Sequence, residues 1–310
     1  MMNAKNGDLR EMPRVQSLGE VLITPRTVSR GLYSRIQAKL KRSWCSRRID
    51  QMVRDLKASG VVASVNAFRG TFEMPLSNNM VKRILQGCYE TTQVRILEAI
   101  LRDGDHVIDV GANLGLFSVL SAAIVGSEGG VLAIEPVPKM VSCLQGNIRR
   151  NGLNNVIVFD GVASDTLDEC TIHTAEGAEE YSSIKKIAHP HGQRDNERIV
   201  KVKSSTLDTL VTTHNLSPSV VKVDVEGAEG LVFSGAHVVL DRFRPIVLSE
   251  LDDRLLSGFG WHSGRVVEFL SGHGYFVFDQ NTKRPLSESL SGFVGDVIAI
   301  PMECRQDLGW

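Results

Sequence analysis

The sequence predicts a doubly wound α/β sheet, and three observations carry that prediction. From residue 106 onward, short apolar runs alternate with helical stretches. That pattern belongs to a mainly parallel sheet covered by helices on both faces. A glycine-bearing turn, DVGANLG at 109–115, joins the first run to the first helix, and a charged segment, KVDVEGAE at 222–229, closes a later run. Both stand where strands end, and the ligand crevice of an open parallel sheet lies outside the carboxyl ends of its strands.

The elements follow in order. VVASVNAF (61–68) reads as a short strand. Val94, Leu97, Ile100 and Leu101 recur at helical spacing, and Gly104 stops that helix. HVIDV (106–110) opens the alternation, and LGLFSVLSAAIV (114–125) reads as a buried helix closed by GSEGG. VLAIEP (131–136) is a second strand, KMVSCLQGNIRRNG (139–152) a helix ended by Asn151-Gly152, and NVIVFDGVAS (155–164) a third strand. TIHTA (171–175) and RIVKVKS (198–204) alternate with period two and read as an inserted hairpin around a polar loop. TLDTLVTTHNL (206–216) is a helix, VVKVDV (220–225) the fourth strand, 227–243 one helix and PIVLSEL (245–251) the fifth strand. WHSGRVVEFLSGHG (261–274) supplies a helix before the strands GYFVFD and DVIAIP. No helical stretch separates those last two strands, so the seventh is expected to run antiparallel.

Composition bounds the class. With 310 residues and 42% hydrophobic content, the chain can bury a substantial core, which excludes wholesale disorder. Its longest apolar run, Leu116 to Val125, is about ten residues, well short of the roughly 18 a spanning helix needs. The N-terminus carries no apolar stretch behind its charges and does not read as a secretory signal. Net charge is −1, yet residues 1–60 hold 13 Lys and Arg against 5 Asp and Glu. They read as a basic extension, helical or partly disordered, ahead of a catalytic domain over 61–310. Such a leader suits peripheral contact with an anionic membrane. The remainder is acidic, which disfavours nucleic acid as a partner. Five cysteines, with no CxxC pair, fit reduced thiols in a cytoplasmic protein.

The glycine turn is the sharpest local signal. Glycine permits the tight backbone turn and a close approach by a ligand, and a helix start favours an anionic group. A dinucleotide fingerprint would need glycine where Asn113 and Leu116 stand, which argues against an oxidoreductase. Glu135 ends the second strand, 20 residues after Gly115, where a carboxylate can accept both ribose hydroxyls of an adenosine. Asp109, Gly111, Asn113, Gly115 and Glu135 therefore suit a ligand with a ribose and a small carboxylate but no diphosphate. S-adenosylmethionine meets that description, and its ammonium group asks for an acidic partner. Asp160, Val162 and Ala163 follow the third strand and are expected against the adenine.

These segments also resemble a known family. VIDVGANLGLFSVLSA, VLAIEPVPKM, NGLNNV and VKVDVEGAEGLVFSGA, with GCYE at 87–90, are similar to the FkbM family of S-adenosylmethionine-dependent methyltransferases. The resemblance covers roughly residues 85–305. It implies a class I methyltransferase fold with seven strands in the order 3-2-1-4-5-7-6, and O-methylation of a hydroxyl. Acceptors in that family are sugars, glycolipids, polysaccharides and polyketide macrolides. A carbohydrate or glycolipid is therefore the first expectation, and a polyketide or other secondary metabolite the second. A nucleotide-cofactor-binding protein without methyl transfer is the contrasting class.

The charged strand end supplies the candidate chemistry. Lys222, Asp224 and Glu226 alternate with valines, so all three charges share one face of the strand. Methyl transfer is an in-line displacement that needs the acceptor oxygen aligned and its proton removed. Asp224, Glu226 or Glu229 is expected to act as base or as ligand of a divalent metal that acidifies the hydroxyl, with Lys222 tuning its charge. Glu250 ends the fifth strand on the same crevice edge. Phe259 and Trp261 are candidates for an acceptor platform as well as for core anchors. Tyr181, Ser182 and Ser183 lie in the hairpin insertion, where they could hydrogen-bond sugar hydroxyls, and His189 and His191 form an isolated pair there.

Overall fold

The computed structural model describes residues 21–23, 62–75, 80, 83–84, 89–175 and 197–304. The N-terminal segment contributes a three-stranded antiparallel sheet, β1 (Val21–Ile23), β2 (Val62–Ala67) and β3 (Gly70–Pro75). The predicted strand at 61–68 is thus one arm of a hairpin. Part of the basic extension, β1, pairs with that hairpin, Val21 opposite Val65. The helices expected elsewhere in residues 1–60, and the candidates Tyr181, Ser182, Ser183, His189 and His191, fall outside the described residues.

The main sheet begins after helix α1 (Thr91–Ile100). Strand β4 (His106–Val110) leads through the glycine turn into α2 (Leu116–Val125), then come β5 (Gly130–Ile134), α3 (Pro138–Arg150) and β6 (Val156–Phe159). After a short strand β7 (Gly161–Ala163), β8 (Asp168–Ala175) and β9 (Glu197–Ser205) form the inserted antiparallel hairpin. Helix α4 (Leu207–Thr213), β10 (Pro218–Val223), α5 (Glu229–Ser234), β11 (Ile246–Asp252), α6 (Asp253–Leu256), α7 (Ser263–Gly272), β12 (Tyr275–Asp279) and β13 (Val294–Pro301) complete the chain.

The seven strands lie in the order β6-β5-β4-β10-β11-β13-β12. Counted along the sheet's own strands this is 3-2-1-4-5-7-6, a class I methyltransferase topology. All neighbours are parallel except β13, which runs antiparallel to β11 and β12. The order explains the sequence pattern: β4, β5 and β10 are buried on both faces, so each reads as an unbroken apolar run. Helix α2 packs nearly all round, which is why it lacks a polar stripe.

Two elements depart from expectation. The third strand is two strands: β6 belongs to the main sheet, whereas β7 pairs with β9 in a separate sheet. The chain changes sheets at Asp160 because the inserted hairpin captures Gly161–Ala163. The single helix expected over 227–243 breaks at Gly235 into α5 and a π-helical turn, Val239–Phe243. A Cβ at Gly235 would lie 2.1 Å from the Ser164 carbonyl oxygen, so the backbone there presses against β7's exit. Cys170 is a free thiol. Among the described residues no helix is long and apolar enough to cross a membrane.

Candidate active site

The glycine turn leaves β4 at the middle of the sheet, where strand order reverses between β4 and β10. Gly111, Asn113 and Gly115 all adopt positive φ, at 82°, 51° and 86°. The turn is therefore built from left-handed residues, a conformation that glycine tolerates and asparagine admits. The space a side chain would fill is already taken by protein. A Cβ at Gly111 would stand 1.8 Å from the Asp224 carbonyl oxygen, and one at Gly115 would stand 2.4 Å from Leu144 Cδ1. These glycines let β10 and α3 close on the turn.

Glu135 fixes the turn from the second strand end. Its Oε2 accepts the Asn113 N–H at 2.8 Å, and its Oε1 accepts the Val137 N–H at 2.8 Å. Burial raises its carboxyl to about 7, against the lowering effect of those two N–H groups. The N–H groups of Gly111 and Ala112 donate to the Ile134 carbonyl, and that of Gly115 to the Ala112 carbonyl. The anion-cradling amides expected of the turn are thus largely engaged within the protein. Asn147 ties the turn to the rest: its Nδ2 donates to the Leu114 carbonyl, and its Oδ1 accepts the Glu73 N–H of β3.

Asp109 is buried beneath the turn. Ser118 Oγ donates to its Oδ2 at 2.6 Å, while its Oδ1 has no partner. Burial raises its carboxyl, opposed by Lys222 and by Ser118. Lys222 is its register neighbour on β10 and is itself 3% exposed. The Lys222 ammonium donates to Asp224 Oδ2 at 3.0 Å and lies 4.8 Å from the Phe117 ring centroid. Burial opposes its charge, but Asp224 and Asp109 more than offset that and hold Lys222 protonated.

The remaining candidates separate. Asp224 lies just past β10, and its side chain is one-third open to solvent. Glu226 is part-exposed with φ 54°. Glu229 is not at the crevice surface: its Oε1 accepts the N–H groups of Val225 and Gly227, and it is 2% exposed. Burial raises it to about 8. That geometry makes Glu229 the clamp of the loop after β10, away from the solvent side where a base would meet a hydroxyl. Asp160 is exposed and ion-paired to Lys203 at 2.8 Å. Val162 is buried among Leu114, Val137 and Met140, and Ala163 in the main core. Phe259 and Trp261 are core anchors rather than a platform, since both are buried in the largest apolar cluster.

The structure adds residues the sequence reading overlooked. The register Val223 opposite Ser249, continued one step, sets Asp224 level with Glu250, and Glu250 stands directly opposite Asp296 on β13. The N-terminal end of α1 covers this row. There Gln93 Nε2 donates to Asp296 Oδ1 at 3.0 Å, and Glu90, at φ 46°, approaches Arg83 at 3.8 Å. Burial, then Asp296 and Asp224, raises Glu90 to about 7. Partial burial, then Asp224 and Asp296, raises Glu250; burial, then Asp224, raises Asp296. Tyr89 is pushed up by burial and by Asp224. The GCYE segment was the available signal for Glu90. A lone Asp at the start of an apolar strand gave none for Asp296. Among the described residues no group of three or more His, Cys, Asp or Glu is arranged to hold a metal ion.

The donor set fits S-adenosylmethionine. Two buried acceptor atoms beside the turn, Asp109 Oδ1 and Asn113 Oδ1, lack partners among the described residues, and an ammonium or hydroxyl would satisfy them.

Comparison with known proteins identifies the family. The family model described as methyltransferase FkbM domain matches residues 109–277. A second, protein-L-isoaspartate(D-aspartate) O-methyltransferase, matches residues 50–167. A probable cobalt-precorrin-6B C(15)-methyltransferase (decarboxylating) of Sulfurisphaera tokodaii is 35% identical over 24% of this chain and 41% of its own length. A protein-L-isoaspartate O-methyltransferase of Fervidobacterium nodosum is 31% identical over 28% of this chain and 38% of its own. The chain thus spans less than half the length of these two relatives. The crystal structure of a methyltransferase FkbM from Methylobacillus flagellatus KT aligns with a TM-score of 0.40 at 13% identity, covering 72% of this chain and 53% of that one.

Proposed function

The chain belongs to the FkbM methyltransferase family, as an S-adenosylmethionine-dependent methyltransferase, and from that premise we propose that it methylates a hydroxyl oxygen of a carbohydrate or glycolipid. One observation carries the reading: the row of Asp224, Glu250 and Asp296 along the crevice rim, with Glu90 at its edge. Acids so crowded already resist ionising and so disfavour a further negative group beside them, such as the carboxylate that an isoaspartyl methyltransferase modifies. They suit an acceptor that donates hydrogen bonds, as the vicinal hydroxyls of a sugar do.

Asp109, Asn113 and Glu135 would hold the cofactor, around the turn formed by Gly111 and Gly115, with Asp160, Val162 and Ala163 at the adenine end. When bound, S-adenosylmethionine supplies an electrophilic methyl group on a positively charged sulfur. The chain's own part is to orient the hydroxyl and take its proton. Asp224 is the base we favour, because its carboxylate is held by Lys222 and is partly open. Lys222 Nζ donates to Asp224 Oδ2 and so fixes where that carboxyl stands, with its other oxygen left for a hydroxyl proton. Glu229 has the supporting role of holding the loop that carries both.

Methyl release measured against a panel of glycans, macrolactones and isoaspartyl peptides tests the acceptor class. Asp224→Asn should lower turnover by about 10²-fold or more while S-adenosylhomocysteine binding persists. Turnover on isoaspartyl peptides alone, or an Asp224→Asn enzyme of unchanged rate, would overturn the proposal.

A further inference from the structure

The rim row contains a feature that sugar hydroxyls alone do not explain. Glu250 and Asp296 are direct cross-strand partners, the closest arrangement two side chains adopt across an antiparallel pair. Two ionised carboxyls there repel, burial and neighbouring acids raise both, and neither is in an ion pair among the described residues. Of the cations nearby, Arg83 approaches Glu90 at 3.8 Å and stacks over the Tyr89 ring, and two others are bonded to other acids. Lys222 is bonded to Asp224, and the Arg254 guanidinium is held by both oxygens of Asp252. A second, independent observation comes from Gln93. It is 3% exposed, its Nε2 is bonded to Asp296, and its buried Oε1 has no partner among the described residues. An amide oxygen left unsatisfied in such a place asks for a donor.

Resting on the function just proposed, we infer that Glu250, Asp296 and Gln93 Oε1 form an ammonium subsite, so that the acceptor carries a primary amine close to the hydroxyl that is methylated. A primary ammonium donates three hydrogen bonds and accepts none. Two carboxylates and one amide oxygen are a matching set of three acceptors, and the charge of the ammonium relieves the repulsion between the carboxylates. Neutral hydroxyls donate one bond each and leave that repulsion in place. Among the described residues these acids are not gathered as three metal ligands, and an organic cation is the occupant we assign. Held between carboxylates the amine stays protonated, has no free electron pair and cannot take the methyl group itself. The hydroxyl beside it remains the nucleophile. The substrate class is therefore an amino sugar, or a glycan bearing one with a free amine.

The test compares a glucosamine tetrasaccharide with its fully N-acetylated counterpart, which differs by loss of the charge. Each is titrated calorimetrically into the full chain loaded with S-adenosylhomocysteine, in two buffers of different ionisation enthalpy. The free-amine sugar should bind at least tenfold more tightly and release protons, since its ammonium displaces protons from Glu250 and Asp296. In Glu250→Gln and Asp296→Asn the preference should shrink to within about threefold, with S-adenosylhomocysteine binding retained. Equal binding of the two sugars, no binding of either, or a preference that survives both substitutions would overturn the inference. Failure to bind S-adenosylhomocysteine would instead indict the reading of the cofactor site.

Discussion

Replacing Lys222 by methionine separates the electrostatic account of the site from a purely steric one. The side chain is 3% exposed and lies between a fully buried carboxylate, Asp109, and a partly open one, Asp224. Methionine keeps most of the volume, so packing changes little. Removing one partner of a buried ion pair typically costs about 3–5 kcal/mol, because the charge left behind has no compensation. Asp224 can turn toward water, so Asp109 should dominate the loss. The pH dependence gives the sign. Asp109 is raised on folding, by burial against the pull of Lys222 and Ser118. A carboxyl raised on folding takes away stability as pH climbs from its unfolded value toward its folded one. Without Lys222 the folded value climbs further, so the deficit should be larger at pH 8 than at pH 5. Urea melts of both proteins at the two pH values measure this. A loss below about 1 kcal/mol, or the same loss at both pH values, would show that Lys222 is not the counter-ion of Asp109.

Two further predictions concern the scaffold of the site. Glu229 is raised from 4.5 to about 8, so in the wild-type chain its share of stability is lost as pH rises across that window. Glu229→Gln should flatten the stability profile over this range by up to the order of 5 kcal/mol, and an unchanged slope in urea melts would refute the assignment. A Cβ at Gly230 would lie 2.1 Å from Trp261 Cδ2, within the largest core cluster. Gly230→Ala should therefore cost about 1–3 kcal/mol in the same assay, and a neutral result would mean that the indole moves freely.

The sheet was legible because its central strands are buried on both faces. HVIDV, VLAI and VVKV have no alternative but to be strands between helices, and the antiparallel β13 followed from the missing helix before it. The turn at 109–115 was legible in kind but not in detail. Positive φ was foreseeable from glycine and asparagine, whereas the close approach of the Asp224 carbonyl and of Leu144 depends on which elements pack there. Asp160 looked like the middle of a strand because its neighbours on both sides are apolar. The switch of sheets came from a hairpin supplied some forty residues later. Glu90, Gln93 and Asp296 meet only because β13 returns antiparallel beside β11 under the start of α1. Local sequence does not record such a meeting, since each residue alone reads as a solvated end. For Trp261 the sequence left a platform and a core anchor both open, and the absent side chain of Gly230 decides for the core by making room for the indole there.

The claim that S-adenosylmethionine is held between the glycine turn and Glu135 is tested most directly by calorimetric titration of S-adenosylhomocysteine into the wild-type chain and into Glu135→Gln, with circular dichroism to show that both are folded. The account predicts one molecule bound per wild-type chain and an affinity at least tenfold weaker in the variant. No binding to the folded wild type, or equal affinity for the two proteins, would contradict it.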